Sequence, residues 1–328
     1  MDKDTMTKPR ILLTRRWPEA TEARLAERYD VVRNEADAPL DRTALTAAMA
    51  EYDALCPTVS DVIDAAVIGD AASRVKIIGN YGVGFNHIDV EAAKRAGIAV
   101  TNTPGVLTDA TADIALALLL MVARRAGEGE RQLRAGGWPG WSPTHMMGRS
   151  LSGKTLGLIG FGRIARATAA RAAHGFGMKI LYSAPRRQPA AYEEAVGATY
   201  IDSVEALLPQ VDFLSLHCPG GAATHHLLDA ERLKLLRPDA AIINTARGTV
   251  IDEAALAEAL AARRIMGAGL DVYEHEPKVH PALLTLENVV LLPHLGSATV
   301  ETRVAMGMCV ADNLDAFFDG REPRDRVA

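Results

Sequence analysis

The stretch Thr155-Leu156-Gly157-Leu158-Ile159-Gly160-Phe161-Gly162-Arg163-Ile164-Ala165 decides the fold: a short apolar run, a glycine turn, then a helical pattern continuing to about Ala173. Strand, Gly-x-Gly-x-x-Ala turn and helix in that order is the setting in which such a turn holds a dinucleotide. Gly160 allows the tight bend, Gly162 lets the backbone approach a pyrophosphate, and Ala165 is small enough for the helix to pack on the strand. The helix start, over Phe161, Arg163 and Ile164, faces the anion with its N–H groups. A glycine turn alone occurs in many α/β proteins; the flanking strand and helix are what favour a nucleotide site.

Outward from this stretch, short apolar runs bounded by Gly, Pro, Asn or Asp alternate with longer amphipathic ones, the mark of βαβ units around a parallel sheet. On the N-terminal side the strand candidates are Ile11-Leu12-Leu13, Asp30-Val31-Val32, Ala54-Leu55-Cys56, Val75-Lys76-Ile77-Ile78 and Ile98-Ala99-Val100, which make one α/β unit. Thr103-Pro104-Gly105 then precedes a long helix expected over 107–125, a crossing into a second unit. Residues 134–152 carry four Gly, two Pro and two Trp without periodicity, and read as a loop or excursion that packs on something else. Six further strands are expected at 155–159, 179–182, 213–216, 240–243, 267–270 and 289–292. The pattern over 298–318, with Val300, Val304, Met308 and Asn313-Leu314 at helical spacing, reads as a helix returning to the first unit.

A length of 328 residues suggests two domains. Hydrophobic residues at 48% and charged residues at 23% exclude a collagen-like or wholly disordered chain. The net charge of −5 leaves no electrostatic footprint for nucleic acid or an anionic membrane. The longest fully apolar run, Ile114 to Ala123, has ten residues, against about 20 for a bilayer span, so no membrane segment is expected. Met1-Asp2-Lys3-Asp4-Thr5 has acidic residues and no apolar stretch, so the expectation is no secretory leader and a cytoplasmic address. Cys56, Cys218 and Cys309 show no CxxC spacing and are expected to be reduced structural thiols.

The second strand of a dinucleotide-binding unit ends about 20 residues beyond the turn, where an acid would hold the ribose 2′-hydroxyl of NAD. That count reaches Ala184, in Tyr182-Ser183-Ala184-Pro185-Arg186-Arg187-Gln188, and meets no carboxylate. Arg186 and Arg187 are what a 2′-phosphate would need, so NADP (NADPH) is favoured and NAD stays possible; the plain alternative is a solvated loop. Further on, Asn244-Thr245-Ala246-Arg247-Gly248, Asp271-Val272-Tyr273-Glu274-His275-Glu276-Pro277 and Leu292-Pro293-His294-Leu295-Gly296-Ser297-Ala298-Thr299 each put an ionisable residue at a strand end, the rim where open α/β sheets bind ligands. An arginine, a carboxylate and a histidine suit reduction of a 2-keto acid. The cation holds the substrate carboxylate and polarises the ketone, the histidine protonates the forming alkoxide, and the carboxylate keeps that histidine protonated. Taken singly, each is equally a helix cap or a surface ion pair. His225-His226 has no third partner at ligand spacing, and His275 and His280 lie in no HxH or HExxH pattern, so no metal site is expected. No GxSxG nucleophile motif is present.

With Tyr81-Gly82-Val83-Gly84-Phe85-Asn86 and Thr103-Pro104-Gly105-Val106-Leu107-Thr108, these ordered motifs make nearly the whole chain resemble the D-2-hydroxyacid dehydrogenase family. The resemblance implies an α/β protein of two doubly wound Rossmann-like domains. The dinucleotide-binding domain (104–295) is inserted in a flavodoxin-like substrate-binding domain (1–103 and 296–328). The resemblance also implies Arg247, Glu276 and His294 as the catalytic triad, with N–H groups of Val83 and Gly84 joining Arg247 on the substrate carboxylate. Thr108 and Asp271 would lie near the nicotinamide, and Cys218, Pro219, Thr224, Thr245, Ala246, His294 and Gly296 would add cofactor contacts. Two departures stand out: Gly221 replaces a common threonine of the cofactor loop, and Asn86-His87 stands where many members have Asp-Asn.

Within the family, the basic loop after Tyr182-Ser183, His280-Pro281-Ala282-Leu283-Leu284 and Gly137-Trp138-Pro139-Gly140-Trp141 are most similar to glyoxylate/hydroxypyruvate reductases. That implies a small 2-keto acid substrate and a homodimer, with Trp141 bordering the neighbour's substrate pocket. The expected interface is the helix at 114–124 and the excursion bearing Trp138 and Trp141, because together they carry more apolar surface than one domain needs. Alternative readings are a phosphoglycerate or other D-2-hydroxyacid dehydrogenase using NAD, and a non-enzymatic dinucleotide sensor like the related corepressors.

Overall fold

Parallel strands buried on both faces read as near-continuous apolar runs, and the two sheets of this protein are built from such runs. The computed structural model describes residues 8–69 and 73–328, so the N-terminal residues read above as lacking a secretory leader lie outside the described residues. The chain forms two units, one from the residues up to Leu107 with Ala298–Ala328, the other Thr108–Ser297.

In the first unit β1 (Arg10–Leu13), β2 (Asp30–Arg33), β3 (Ala54–Cys56), β4 (Ile77–Gly79) and β5 (Ala99–Thr101) pair in parallel in the order β2-β1-β3-β4-β5. This is the flavodoxin-like order. Leu55, Ile78 and Val100 share one core with Leu45, Val67 and Ala93 from the covering helices. The C-terminal helix Val300–Phe318 belongs to this unit, as its spacing suggested, but its buried face is Met306, Val310 and Leu314. Val300, expected inside, is 77% exposed. The helix's rotation is set by Asp315, whose carboxylate accepts the Tyr29 hydroxyl at 2.7 Å and pairs with Arg24.

The second unit holds β6 (Thr155–Ile159), β7 (Lys179–Ser183), β8 (Ala198–Tyr200), β9 (Phe213–Leu216), β10 (Ala241–Asn244), β11 (Gly267–Leu270) and β12 (Val289–Leu291). All are parallel, in the order β12-β11-β10-β9-β6-β7-β8, so the winding reverses between β6 and β9. β8 is not among the six strands expected from the sequence. It is three residues at the sheet edge with only Thr199 exposed, too short for alternation to register.

In the apolar helix Thr108–Ala123, Leu118 and Leu119 are buried in the same core as Leu156, Leu158 and Ile243, while Ile114, Leu120 and Met121 are only partly buried. The exposed apolar side chains lie beyond it, at Leu133, Trp138, Trp141 and Met147. Helix Ala126–Arg134, also unforeseen, is anchored by polar contacts, Arg131 donating to the Glu287 carboxylate at 2.6 Å. Among the described residues no helix is long and apolar enough to cross a membrane.

Gly248 shows how tightly the strand-end loops meet: a β-carbon there would lie 1.8 Å from the Tyr273 carbonyl carbon and 2.3 Å from the Glu274 nitrogen. These are main-chain atoms and cannot rotate aside. Gly248→Ala should therefore destabilise the protein by about 3 kcal/mol and lower Tm by several degrees in thermal denaturation. A variant melting with the wild type would refute this account of the contact.

Candidate active site

β6 ends where the strand order reverses, the place at which doubly wound sheets bind ligands. Gly160 has φ +89° and donates its N–H to Ser183 O at 2.8 Å, while a β-carbon on it would sit 2.7 Å from the His217 carbonyl oxygen. Gly162 caps helix Arg163–Ala170 without any side-chain hydrogen bond, and nothing lies within 4 Å of where its β-carbon would be. Uncapped N–H groups facing open space suit a pyrophosphate. Ala165 is fully buried, and Phe161, 2% exposed, stacks on Tyr182 with ring centroids 4.1 Å apart, so Phe161 offers the site only its main chain. Arg163 is exposed and Ile164 half-buried at the start of the same helix.

The loop after β9 folds back on itself, the Thr224 hydroxyl donating to Pro219 O at 2.6 Å. Burial pushes the neighbouring Cys218 thiol up to about 11. At the end of β10 the buried Thr245 hydroxyl has no hydrogen-bond partner among the described residues. Open space at Gly162, a tight turn at Gly160, an uncapped helix start and this orphaned hydroxyl together fit a dinucleotide.

The loop after β7 holds a carboxylate that counting along the chain did not find. Arg187 donates to Glu193 through Nη2 at 2.7 Å and Nε at 3.0 Å, and the Tyr182 hydroxyl donates to the same carboxylate at 2.5 Å. The Arg187 hydrogen bond, then that of Tyr182, holds the Glu193 carboxyl below its ordinary range. Arg186 is exposed and has no ion-pair partner among the described residues. Of the two arginines read as phosphate ligands, one is therefore already engaged.

β10, β11 and β12 are neighbours, and the segments leaving their C-terminal ends carry the three ionisable residues of the sequence reading. Asn244 shapes the first: its side-chain amide donates to Arg247 O at 2.9 Å and its Oδ1 accepts Ala246 N–H at 3.0 Å. Burial lowers the pKa of the Arg247 guanidinium, opposed by the nearby charge of Glu276. After β11, the carboxylate of Asp271 accepts the N–H groups of Leu295 and Gly296 at 2.6 and 2.7 Å, and Asp271 O accepts His294 N–H at 2.9 Å. Burial pushes the Asp271 carboxyl up, against those two N–H groups and His294.

His294 is held at φ +56°, and its Nδ1 lies 2.8 Å from Glu276 Oε2. Glu276 Oε1 accepts Tyr273 N–H at 3.0 Å. Burial pushes the Glu276 carboxyl up, but His294, the Tyr273 N–H and Arg247 outweigh it and leave it below the ordinary carboxylate range. An ionised carboxylate only accepts, so Nδ1 is the donor in this pair and Nε2 is the nitrogen placed to exchange a proton.

The remaining predicted residues are dispersed. Thr108 opens the helix Thr108–Ala123, and Gly296 packs on Asp271. In the first unit, Asn80 Nδ2 donates to the carbonyls of Gly82 and Gly84 at 2.9 and 3.0 Å, and Asn102 Nδ2 donates to Val83 O at 2.8 Å, fixing the peptide planes of the Val83-Gly84 turn. Trp141 is 82% exposed. His225-His226, read as lacking a third group, meets Glu274 from the segment after β11. Glu274 left no signal in the sequence because it meets His226 from 48 residues away, and Glu193 escaped notice because it lies beyond the counted strand end and folds back to Arg187 from the short helix Ala190–Glu194.

The model of the family described as D-isomer specific 2-hydroxyacid dehydrogenase, NAD binding domain, matches residues 116–296. A glyoxylate reductase of Thermococcus litoralis is 47% identical over 98% of this chain and 97% of its own length. Among solved structures, a protein of Thermus thermophilus is 43% identical with TM-score 0.88, covering 97% of this chain and 100% of that one. An NADPH-dependent glyoxylate/hydroxypyruvate reductase of Sinorhizobium meliloti, in complex with NADP and malonate, is 38% identical with TM-score 0.87, covering 98% and 97%.

Proposed function

This chain belongs to the D-isomer specific 2-hydroxyacid dehydrogenase family and is an oxidoreductase that binds a nicotinamide dinucleotide, and we propose that it reduces glyoxylate, hydroxypyruvate or a similarly small 2-keto acid to the D-2-hydroxy acid, with NADPH preferred. The observation that carries the reading is the 2.8 Å pair of His294 with Glu276, set beside Arg247 on adjoining strand ends. In this reading the unit from Thr108 to Ser297 holds the dinucleotide through the turn at Gly160 to Ile164, Thr108, Cys218, Pro219, Thr224, Thr245, Ala246, Asp271 and Gly296. The other unit binds substrate.

The bound dinucleotide supplies the hydride. Arg247 takes the substrate carboxylate and draws electron density from the ketone, and the N–H groups of Val83 and Gly84 are the substrate-binding groups assigned to the other unit. His294 gives its Nε2 proton to the forming alkoxide. Glu276 holds Nδ1 and so fixes the ring and its tautomer.

Wild-type protein should oxidise NADPH when given glyoxylate or hydroxypyruvate. His294→Ala should lower kcat by about 10²–10⁴-fold, whereas Arg247→Ala should both raise KM and lower kcat, because a carboxylate clamp acts in the ground and transition states. Tight NADPH binding without turnover on any short 2-keto acid would overturn this assignment of substrate.

On cofactor choice, the Glu193 pairing supports Arg186 rather than Arg187 as the residue on which an NADPH preference would rest. Arg186→Ala should reduce kcat/KM for NADPH about tenfold and leave NADH nearly unchanged, while Arg187→Ala has a smaller effect. Equal use of both cofactors by the wild type would support the NAD alternative.

The exposed Leu133, Trp138, Trp141 and Met147 support a homodimer formed through the excursion, with Trp141 bordering the neighbour's substrate pocket. Light scattering at micromolar concentration should give twice the chain mass of 35.1 kDa. A monomer would contradict this.

A further inference from the structure

Adjacent residues in an extended chain point to opposite faces, yet His225 and His226 place their rings together, stacked with centroids 4.0 Å apart and planes at 26°. The cause is backbone: His226 has φ +47°, a left-handed conformation that non-glycine residues rarely adopt. Two main-chain bonds hold the turn, His226 N–H to Thr249 O at 2.8 Å and Leu228 N–H to Val250 O at 3.0 Å. A third group comes from 48 residues away: Glu274 Oε1 lies 2.7 Å from His226 Nε2. Glu274 is itself fixed, its N–H donating to the Glu253 carboxylate at 2.6 Å. One donor atom from each of His225, His226 and Glu274 lies within 4.8 Å of the others, and His225 is exposed.

We propose that His225, His226 and Glu274 form a site for a divalent transition-metal ion of the zinc class. Two imidazole nitrogens and one carboxylate oxygen are a borderline-soft donor set that suits Zn²⁺, Co²⁺, Ni²⁺ or Cu²⁺ far better than Mg²⁺ or Ca²⁺. Zinc–nitrogen and zinc–oxygen bonds of about 2.0–2.2 Å put neighbouring ligand atoms roughly 3.3 Å apart in a tetrahedron. The ion thus replaces the hydrogen-bonded proton between His226 and Glu274 with a small outward shift. Rotation of the exposed His225 ring closes the third bond, and water completes the shell. Because Glu274 stands two residues before Glu276, an occupied site also stiffens the segment that carries the histidine's partner.

The test is equilibrium dialysis of the chelator-stripped full-length protein against Zn²⁺, paired with the visible spectrum of the Co²⁺ form. Expected are one ion per chain, a Co²⁺ absorption showing imidazole ligation, and a Tm that rises with zinc concentration as binding to the folded state requires. His225→Ala and Glu274→Gln should each weaken binding at least about tenfold, with thermal melts in metal-free buffer confirming that the variants fold. His225→Ala should keep wild-type turnover in that buffer. Absence of stoichiometric zinc binding by the wild type, or binding that survives both substitutions unchanged, overturns the proposal. The readouts are metal content, spectrum and Tm, so they stand or fall independently of which 2-keto acid is reduced.

Discussion

The hydrogen bonds from the segment after β12 to Asp271 determine where the proton-transferring histidine stands. A non-glycine residue in a left-handed conformation is strained by about 1–3 kcal/mol, and His294, at φ +56°, carries that strain. Directly after it, Leu295 and Gly296 point their N–H groups into the Asp271 carboxylate at 2.6 and 2.7 Å. A hydrogen bond contributes about 0.5–1.5 kcal/mol, and more with a charged acceptor, so the pair offsets strain of that size. The ring is therefore aimed by the main chain before Glu276 touches it, and Glu276 adds the choice of tautomer.

Sheet topology puts this clamp in reach of the other groups. Because β10, β11 and β12 are parallel neighbours, their C-terminal ends lie side by side, and residues 24 and 47 positions from Arg247 in sequence, Asp271 and His294, arrive on the same rim. The glycine turn leaves the same edge at β6, across β9. A parallel sheet thus gathers dispersed residues without any one loop spanning the site, while the close fit of Gly248 against Tyr273 keeps two of the loops in fixed register.

What the sequence made legible follows from how local each signal is. The strand–turn–helix around Gly160, the strand runs and the residues at their ends depend on neighbours within a few positions, and sequence patterns record those. Three features depend on how a segment folds or on what it packs against, and were not legible. The rotation of helix Val300–Phe318 is set by Asp315 against Arg24 and Tyr29, nearly the whole chain apart. The apolar length of helix Thr108–Ala123 is equally compatible with a core or an interface until Leu118 and Leu119 are seen beneath their own sheet. Counting to Ala184 correctly found no acid at that position, yet Glu193 folds back through the helix Ala190–Glu194 and supplies one to Arg187.

Environment separates the two carboxylates that meet His294, and the separation divides their roles. Groups whose surroundings push their proton affinities apart are suited to different tasks. Burial moves Asp271 upward, and the groups opposing it include main-chain N–H donors that also direct a backbone turn. Burial pushes Glu276 the same way, but a ring nitrogen at 2.8 Å, then the Tyr273 N–H and the charge of Arg247, reverse the sign. Only Glu276 therefore pairs a stabilised negative charge with direct contact to the imidazole, which is what a partner for a transient imidazolium requires. The same arrangement explains why Arg247 tolerates its burial: Glu276 opposes the desolvation that lowers its pKa, and a guanidinium stays charged under conditions that would neutralise a buried lysine. Replacing the arginine by lysine at this rim would weaken the cation and the support that keeps Glu276 ionised, so the triad is one electrostatic unit whose members hold each other's charge states.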